Sequence, residues 1–306
     1  MRICRFHLPG KGARLGAIVA EDVYDLTASG RPELGSLETL LRACDENAGP
    51  LGDWLGSCLE EFPRAGSFAD LNRPPDPGRA HLLKPLDTQE VWAAGVTYQR
   101  SRVAREDESG GSGIYDRVYD APRPELFFKA TPSRTVGPFE AVRIRADAHW
   151  NVPEAELALV LSPQLKLIGY TVGNDMSSRD IEGENPLYLP QAKIHAACCA
   201  VGPCITLADE FETGQPAGIA CTIRRGGAVV FRGESSTGLI KRPLAELIAY
   251  LGRDNIFPTG VALLTGTGIV PPDGFSLQAG DWVEIAIDRI GVLQNPVEQR
   301  RTEKGS

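Results

Sequence analysis

From about residue 85 onward, short apolar segments alternate with glycine- and proline-rich turns, and few helical segments lie between them. A parallel α/β sheet needs a crossover, usually a helix, after each strand. The spacing therefore predicts a curved β architecture and argues against a doubly wound α/β sheet. The clearest strand segments are VWAAGV, LFFKA, AELALVLS, LIGYTVG, IACTIRR, AVVFRG, VALLTGTG and DWVEIAIDRIGVLQN. One helix is expected within PLAELIAYLG, since Pro243 stands at its start and Gly252 at its end.

The first 85 residues have a mixed α+β pattern and predict a small unit of their own. ARLGAIVAEDVYDLT predicts a short hairpin. Ser36 is the expected N-cap of a helix in SLETLLRACDENAG, and a second short helix is expected at about 53–62. The proline-rich segment 73–80 is the best candidate for a linker. We therefore predict a small N-terminal domain at 1–85 and a larger domain at 86–306.

Charge and composition exclude several classes of partner. The formal net charge of -8 leaves no basic surplus to neutralise phosphates, so we expect no nucleic-acid partner. The amino terminus lacks the apolar segment of a secretory signal, and no apolar run reaches the roughly 18 residues of a membrane span. We therefore expect a cytoplasmic protein without membrane contact. The seven cysteines form no CxxC pair and are expected to be buried free thiols.

The strongest chemical signal is the segment NVPEAELALVL. Residues i and i+2 of a strand point to the same face, so Glu154 and Glu156 project together. Two adjacent carboxylates repel each other, and a cation between them removes that penalty. Asp175 follows the next apolar strand and is the expected third oxygen ligand. An all-carboxylate set favours Mg²⁺, with Mn²⁺ or Ca²⁺ as alternatives, over softer metals. The competing interpretation is an exposed, metal-free acidic face.

Two further features follow along the chain. Residues 106–125 form a polar, glycine-rich stretch of the length expected for an active-site lid or a disordered loop, and the lid is favoured, with a short helix predicted from Ile114 to Tyr119. Lys193 stands in an otherwise apolar stretch. It either lies on the surface, or binds a substrate carboxylate or transfers a proton beside the metal. The residues alone leave these interpretations of Lys193 open.

Several separated motifs, in the same order, resemble the fumarylacetoacetate hydrolase superfamily from about Val91 to Asn295. The motifs are AAGVTY (93–98), RPELFFKATPSRTVGP (123–138), PEAELALVL (153–161), GYTVGNDMSSRDIE (169–182), QAK (191–193), LLTGTG (263–268) and AGDWVEIAIDRIGVLQN (279–295). The resemblance implies an α+β protein, with a mixed β-roll, barrel-like core in a metal-binding catalytic domain and a small N-terminal α+β domain. It also implies a homodimer or homotetramer and a small anionic 2-keto acid as the substrate.

The resemblance also assigns roles to residues. It implies that Mg²⁺ is held by Glu154, Glu156 and Asp175, and that Arg179 supports the metal loop. The residues expected to contact the substrate are Tyr98, Arg102, Phe128, Gly266 and Thr267, and family position adds Phe127 and Lys129 as candidates to line the pocket. The metal is expected to chelate the carboxylate and keto oxygens of the substrate.

Departures from the family pattern favour one branch. Hydrolases of this superfamily usually carry a His and a Glu after the motif that AAGVTY resembles, and this chain has Ser101 and Ala104 there. Because that pair activates water, its absence argues against hydrolysis. GENPLYLPQAK, WNVPE and YDRVYDAPRPELFFKAT resemble instead the sugar-acid dehydratases, which convert 2-keto-3-deoxypentonates into 2,5-dioxopentanoate. In such a reaction the metal polarises the C2 ketone, and Lys193 or Glu182 is the expected base for the C3 proton.

The sequence leaves other functions open. A hydrolase that cleaves a C–C bond of an acylpyruvate or 2,4-diketo acid would need a base from the lid, such as Glu106 or Glu108. A non-catalytic keto-acid-binding protein, a decarboxylase or a tautomerase on the same scaffold are further alternatives. The sequence does not distinguish arabinonate from xylonate derivatives, Mg²⁺ from Mn²⁺ or Ca²⁺, or a dimer from a tetramer.

Overall fold

The structure is a computed structural model that describes residues 1–47, 49–108, 113–211 and 215–300. The side chains of Glu108, Ile114 and Tyr115, and residues 109–112 of the predicted lid, lie outside the described part. No helix among the described residues is long and apolar enough to cross a membrane.

Each strand segment predicted from the sequence forms a strand among the described residues, and further strands, such as Arg2–Leu8 and Cys199–Leu207, were not predicted. They are β1 Arg2–Leu8, β2 Gly12–Val19, β3 Asp22–Asp25, β4 Arg64–Ser67, β5 His81–Leu83, β6 Glu90–Gly95, β7 Glu125–Ala130, β8 Thr135–Val136, β9 Val142–Ile144, β10 Asn151–Val152, β11 Ala155–Leu161, β12 Leu167–Asp175, β13 Ser177–Ser178, β14 Cys199–Leu207, β15 Gly218–Arg225, β16 Ala228–Ser236, β17 Val261–Thr267, β18 Trp282–Ile287 and β19 Gly291–Gln299.

The helices are short and lie between the strands. The α-helices are α1 Leu37–Glu46, α2 Leu51–Ser57, α3 Phe68–Leu71, α4 Gln99–Glu108, α5 Ile114–Asp120, α6 Arg179–Glu184, α7 Leu189–Lys193, α8 Ala208–Phe211 and α9 Leu244–Leu251. The 3₁₀ turns are Leu26–Ser29, Pro32–Leu34, Leu59–Glu61, Pro132–Arg134, Pro186–Tyr188 and Thr237–Leu239.

Most of the described strands belong to two sheets. The larger has twelve strands in the order β4–β3–β2–β1–β14–β12–β11–β17–β6–β7, with β5 paired to β1 and β8 to β14. The smaller has five strands in the order β16–β15–β18–β19–β9. Most pairs are antiparallel, whereas β17–β6, β14–β8 and β19–β9 are parallel. Among the described strands neither sheet closes on itself, so the core is an open, mixed β-roll and not a closed barrel.

Strand β11 lies at the centre of the molecule and is buried on both faces. Leu157 and Leu159 pack into a cluster that includes Ile219 and Ile285 of the smaller sheet. The alternate residues of β11, Ala158 and Val160, face a second cluster on the other side of the large sheet. Burial on both faces explains why every residue of this strand except Glu156 is apolar.

The first 85 residues share both a sheet and an apolar cluster with the rest of the chain. Strand β1 pairs with β14, and Arg2 stands opposite Thr206. Leu40 and Leu55 of the N-terminal helices belong to the same cluster as Val160. The predicted domain boundary between residues 85 and 86 would require each part of the chain to fold independently, and it stays a prediction.

Two helices show what local sequence does and does not predict. Helix α1 begins after Ser36, whose side chain accepts from the backbone N–H of Thr39 in a reciprocal capping box, as the sequence predicted for its start. Helix α4 was not predicted, because QRSRVAREDE has no apolar stripe. Its buried face is instead made by Ser101 and Arg105, which are one turn apart.

Gly169 of β12 packs closely against β14, and it provides a test of this packing. A Cβ atom at Gly169 would lie 2.3 Å from the carbonyl oxygen of Thr206 and 2.8 Å from Cγ2 of Ile205. We expect Gly169→Ala to lower the free energy of unfolding by about 1–3 kcal/mol, because the strands must separate to admit the methyl group. Urea denaturation monitored by circular dichroism measures the change.

Gly56 in α2 is the matched control, because a Cβ atom there would meet no other atom within 4 Å. Gly56→Ala is expected to leave stability unchanged or raise it by up to about 1 kcal/mol, since alanine is the better helix former. Equal denaturation midpoints for Gly169→Ala and Gly56→Ala would contradict the packing described for β12 and β14.

Candidate active site

Three carboxylates meet at one end of the central strand pair β11–β12. Glu156 lies in β11, Glu154 directly precedes that strand, and Asp175 ends β12. The backbones of Glu154 and Asp175 are hydrogen-bonded to each other in both directions, with N···O distances of 3.2 and 3.0 Å. One carboxylate oxygen from each of the three residues lies within 4.8 Å of the other two. All three side chains are buried, so the alternative of an exposed acidic face is wrong.

A buried cluster of carboxylates is costly unless positive charge compensates it. Burial raises the pKa of Glu156 well above its ordinary value, and the charges of Asp175 and Glu154 raise it further. The backbone N–H of Gly266 donates to Glu156 Oε2 at 2.6 Å, and this hydrogen bond lowers the pKa of Glu156. Oxygen-only donors are what Mg²⁺ and Ca²⁺ prefer, so the residues present fit a hard divalent cation.

Three buried cations surround the carboxylates. Lys129 Nζ lies 2.5 Å from Asp175 Oδ1, and Arg179 Nη2 lies 2.8 Å from Glu154 Oε1. Lys193 Nζ lies 2.9 Å from Glu154 Oε1 and 3.1 Å from Asp175 Oδ2. The side chain of Arg179 reaches Glu154 from the start of α6, which is the supporting position expected for it. These ion pairs fix the orientation of the carboxylates that would hold the metal.

Lys193 is a buried ammonium group at the end of α7, so the interpretation of a surface lysine is wrong. Burial alone would lower the pKa of Lys193, but the charges of Asp175, Glu154 and Glu182 raise it well above its ordinary value. The Lys193 side chain therefore carries a positive charge at neutral pH. An ammonium group held by these carboxylates suits binding of an anionic substrate.

Glu125 is a site residue that the sequence analysis missed. It stands at the start of β7, opposite Gly95 of β6, and lines the same pocket as Glu154 and Lys193. Burial and the charge of Glu182 raise the pKa of Glu125 to about 7, and the charge of Lys193 opposes this rise. A Cβ atom at Gly95 would lie 2.1 Å from Glu125 Oε2, so the missing side chain at Gly95 provides the space for this carboxyl group. A carboxyl with a pKa near 7 is suited to accept and return a proton at physiological pH.

Arg105 of α4 and Glu182 of α6 line the same pocket as Glu154 and Lys193. Arg105 Nη1 lies 3.5 Å from Glu182 Oε2, and both side chains are almost fully buried. Ser101, one turn before Arg105, also lines the pocket. This part of the lining is therefore polar and carries a paired cation and anion.

The structure brings some of the predicted substrate-contacting residues to the pocket. Gly266 and Thr267, at the end of β17, line it together with Phe127. Gly266 has a φ of +88°, and a Cβ atom there would lie 2.1 Å from the hydroxyl of Thr97, so this turn requires glycine. Tyr98 is buried beside the pocket, and its hydroxyl has no hydrogen-bond partner among the described residues.

Two of the predicted contacts do not face the pocket. Phe128 points to the opposite side of β7, where its ring stacks edge-on against Trp92 with centroids 6.0 Å apart, and Phe127 faces the pocket in its place. Arg102 lies on the outer side of α4, 3.5 Å from Asp116 of α5, and Arg105 points inward instead. Both differences arise because the sequence did not fix which face of the strand or helix turns inward.

The alternative base Glu106 is engaged elsewhere. Its Oε1 accepts a hydrogen bond from the backbone N–H of Gly113. It does not line the pocket that holds Glu125 and Lys193. Glu108, the other residue of that hypothesis, has its side chain outside the described part.

Comparisons with known proteins agree with this geometry. Residues 90–298 match the family model described as fumarylacetoacetate (FAA) hydrolase C-terminal. A Haloferax volcanii protein named "Probable 2-keto-3-deoxyxylonate dehydratase" is 50% identical over 71% of this chain and 75% of its own length. The 2-dehydro-3-deoxy-D-arabinonate dehydratase of Saccharolobus solfataricus is 48% identical over 72% of this chain and 75% of its own length.

A solved structure is similar over nearly the whole chain. It is a 2-keto-3-deoxy-D-arabinonate dehydratase complexed with magnesium and 2,5-dioxopentanoate, with a TM-score of 0.83 and 39% identity over 99% of this chain and 100% of that chain. The matched family model spans the buried carboxylates, Lys193 and the Gly266–Thr267 turn. This chain therefore belongs to the fumarylacetoacetate hydrolase family.

Proposed function

We propose that this protein is a Mg²⁺-dependent dehydratase that converts a 2-keto-3-deoxypentonate into 2,5-dioxopentanoate. The observation that carries the proposal is Glu125, a carboxyl group with a pKa of about 7 that shares its pocket with the three metal-binding carboxylates and a charged lysine. Dehydration needs a base for the C3 proton and no water nucleophile. The dehydratases similar to this chain point to the same substrate class.

The metal would be held by Glu154, Glu156 and Asp175, as the sequence analysis expected. When bound, Mg²⁺ supplies charge stabilisation for the carboxylate and keto oxygens of the substrate, which acidifies the C3 protons. Lys193, which donates to Glu154 and Asp175, adds a positive charge beside the metal-binding carboxylates. The metal end of the pocket thus binds and orients the keto-acid group.

Glu125 is the base that we assign, in place of the Lys193 or Glu182 expected from the sequence. Lys193 is held in its protonated form by its ion pairs, and Glu182 is paired with Arg105. Glu125 takes a proton from C3 and delivers it to the C4 hydroxyl, which leaves as water, while Arg105 and Glu182 hydrogen-bond to the departing oxygen. Proton transfer from C5 back to C3, followed by tautomerisation of the resulting enol, gives the C5 aldehyde. The overall change is the loss of one water molecule.

Exposed apolar side chains support the expected assembly, and we propose a cytoplasmic homodimer or homotetramer. Val229 and Val230 are 51% and 41% exposed on β16, the edge strand of the smaller sheet. Leu239 and Ile256 are also largely exposed. Apolar groups at a sheet edge are commonly covered by another chain. Light scattering of the purified protein measures the number of subunits.

Product analysis tests the proposed reaction. The purified protein with Mg²⁺ is expected to convert 2-keto-3-deoxypentonates into 2,5-dioxopentanoate, seen by NMR as one product with an aldehyde proton. A chelator should abolish turnover, because the charge that acidifies C3 is lost, and so should Glu154→Gln. Cleavage of an acylpyruvate into two acids, without turnover of any pentonate, would show that the enzyme is a hydrolase.

The role of Glu125 predicts both a mutant effect and a pH profile. Glu125→Gln is expected to lower kcat by about 10²- to 10⁴-fold, the usual contribution of a general base. In the wild type, kcat/KM should fall as pH drops below about 7, because protonation removes the base form of a group whose pKa is about 7. Steady-state kinetics between pH 5 and 9 measure both.

Glu184→Gln is the matched control, because Glu184 lies exposed on α6 outside the pocket and the substitution removes the same charge. It should keep wild-type kcat and pH dependence. Titration with Mn²⁺ should give unchanged metal affinity for Glu125→Gln. Near-normal turnover by Glu125→Gln would exclude this residue as the base, and the assignment of the metal ligands would still stand.

A further inference from the structure

Strand β17 carries a bulge beside Glu156 of β11. Glu156 pairs with Thr267 of β17. Two residues further along β11, Ala158 pairs with Leu264, so β17 has one residue more than β11 between these two pairs. Within the bulge, the backbone N–H of Gly266 donates to Glu156 Oε2 at 2.6 Å. Bulges are frequent next to active sites because they aim groups out of the regular ladder. The orientation of the Glu156 carboxylate therefore depends on the shape of this bulge.

Two threonine hydroxyls hold the bulge in shape. Thr265 Oγ1 donates at 2.9 Å to the carbonyl oxygen of Leu157, the β11 residue between the two pairs. Thr97 Oγ1, from the segment after β6, donates to the carbonyl oxygen of Thr265 at 2.6 Å. Both threonines are buried, so water does not compete for these hydrogen bonds. Thr97 thus connects the end of β6 to the bulge of β17.

The Thr97 side chain also fits the bulge sterically. A Cβ atom at Gly266 would lie 2.1 Å from Thr97 Oγ1, so the hydroxyl fills the space that a side chain at this position would need. The carbonyl oxygen of Thr97 accepts from the backbone N–H of Lys241 at 3.0 Å, which holds the residue from a second segment. The described lining of the pocket includes Gly266 and not Thr97. The Thr97 hydroxyl therefore acts on the site through the bulge.

The residue before Thr97 has a strained backbone. Val96 has a φ of +52°, in the left-handed region that β-branched residues rarely adopt. Such strain persists only where the surrounding structure fixes it, and it is concentrated at functional sites. The hydrogen bonds of Thr97 to Thr265 and Lys241 fix this turn. The turn is thus held, against the preference of its own backbone, where it places Thr97 at the bulge.

We propose that Thr97 is a positioning residue for metal binding, because its hydroxyl holds the bulge in the shape that directs the Gly266 N–H at Glu156. This inference rests on the proposed function, in which Glu156 is one of three carboxylate ligands of the metal. Without the hydroxyl of Thr97, the carbonyl group of Thr265 loses a buried donor and the bulge relaxes. The Glu156 carboxylate then loses the N–H that restrains it, and the affinity for the metal falls.

Titration of the metal-free, full-length protein with Mn²⁺ tests the proposal, with free Mn²⁺ measured by electron paramagnetic resonance. Thr97→Val removes the hydroxyl and keeps the size of the side chain. It is expected to raise the dissociation constant for Mn²⁺ by about 10- to 100-fold, the usual effect of losing a group that orients a metal ligand. Thr97→Ser keeps the hydroxyl and should bind Mn²⁺ as tightly as the wild type.

Thr171→Val is the matched control. Thr171 is buried in β12, and its hydroxyl donates to the carbonyl oxygen of Gly202 at 3.2 Å, where the pairing of β12 with β14 shifts register. It stands four residues before Asp175, roughly 13 Å along an extended strand. Thr171→Val should lower the urea midpoint, as Thr97→Val does, and leave the Mn²⁺ affinity unchanged. The comparison separates a loss of stability from a loss of positioning.

The outcomes separate this inference from the proposed function. If the wild type does not bind Mn²⁺, or if Glu156→Gln binds it with unchanged affinity, the metal site itself is wrong and the inference fails with it. Unchanged affinity in Thr97→Val would overturn the role of Thr97 while the metal site stands. An equal loss of affinity in Thr171→Val or in Thr97→Ser would do the same. If Thr97→Val does not fold, Thr97→Ala takes its place with the same expected result.

Discussion

The site depends on the placement of three carboxylates at the buried end of the β11–β12 pair. Their mutual repulsion and their removal from water would oppose folding without compensating charge. The surrounding structure supplies that charge from separate elements, with Lys129 from β7, Arg179 from α6 and Lys193 from α7. A divalent cation would complete the compensation. The short helices after β12 therefore carry two of the cations, Arg179 and Lys193, that compensate the carboxylates of the strand pair.

The same environment gives similar groups different chemical roles. Burial and the charge of Glu182 raise the pKa of Glu125 to about 7, whereas the charges of Asp175 and Glu154 raise the pKa of Lys193 above its ordinary value. Glu182, a second carboxylate in the same pocket, is paired with Arg105. The pocket thus combines buried carboxylates with compensating cations, the carboxyl group of Glu125, and the paired side chains of Arg105 and Glu182. This division fits proton abstraction next to a keto group better than activation of water.

The sequence predicted the parts of the fold and site that depend on local periodicity. The i, i+2 spacing of Glu154 and Glu156 and the position of Asp175 at a strand end were sufficient to predict the buried carboxylate cluster. The strand segments and the absence of a doubly wound sheet were also confirmed. These features follow from short-range rules, since a strand has only two faces.

The missed features depend on contacts between segments distant in sequence. The space for Glu125 exists because Gly95 lies opposite it on β6, a pairing that neither segment reveals alone. Phe127 faces the pocket, and not Phe128, because the register of β7 sets which face points inward. Arg105 was not singled out because α4 packs through a charge pair and lacks an apolar stripe.

Deuterium exchange tests the central claim most directly, because it isolates proton abstraction from the loss of water. 2-Oxopentanoate has C3 protons next to its keto group and no hydroxyl to eliminate. With Mg²⁺ in D₂O, the wild type should replace both C3 protons with deuterium, as followed by NMR, and Glu125→Gln or a chelator should stop the exchange. Exchange that continues at the wild-type rate in Glu125→Gln, or that is absent from the Mg²⁺-loaded wild type, would contradict the account.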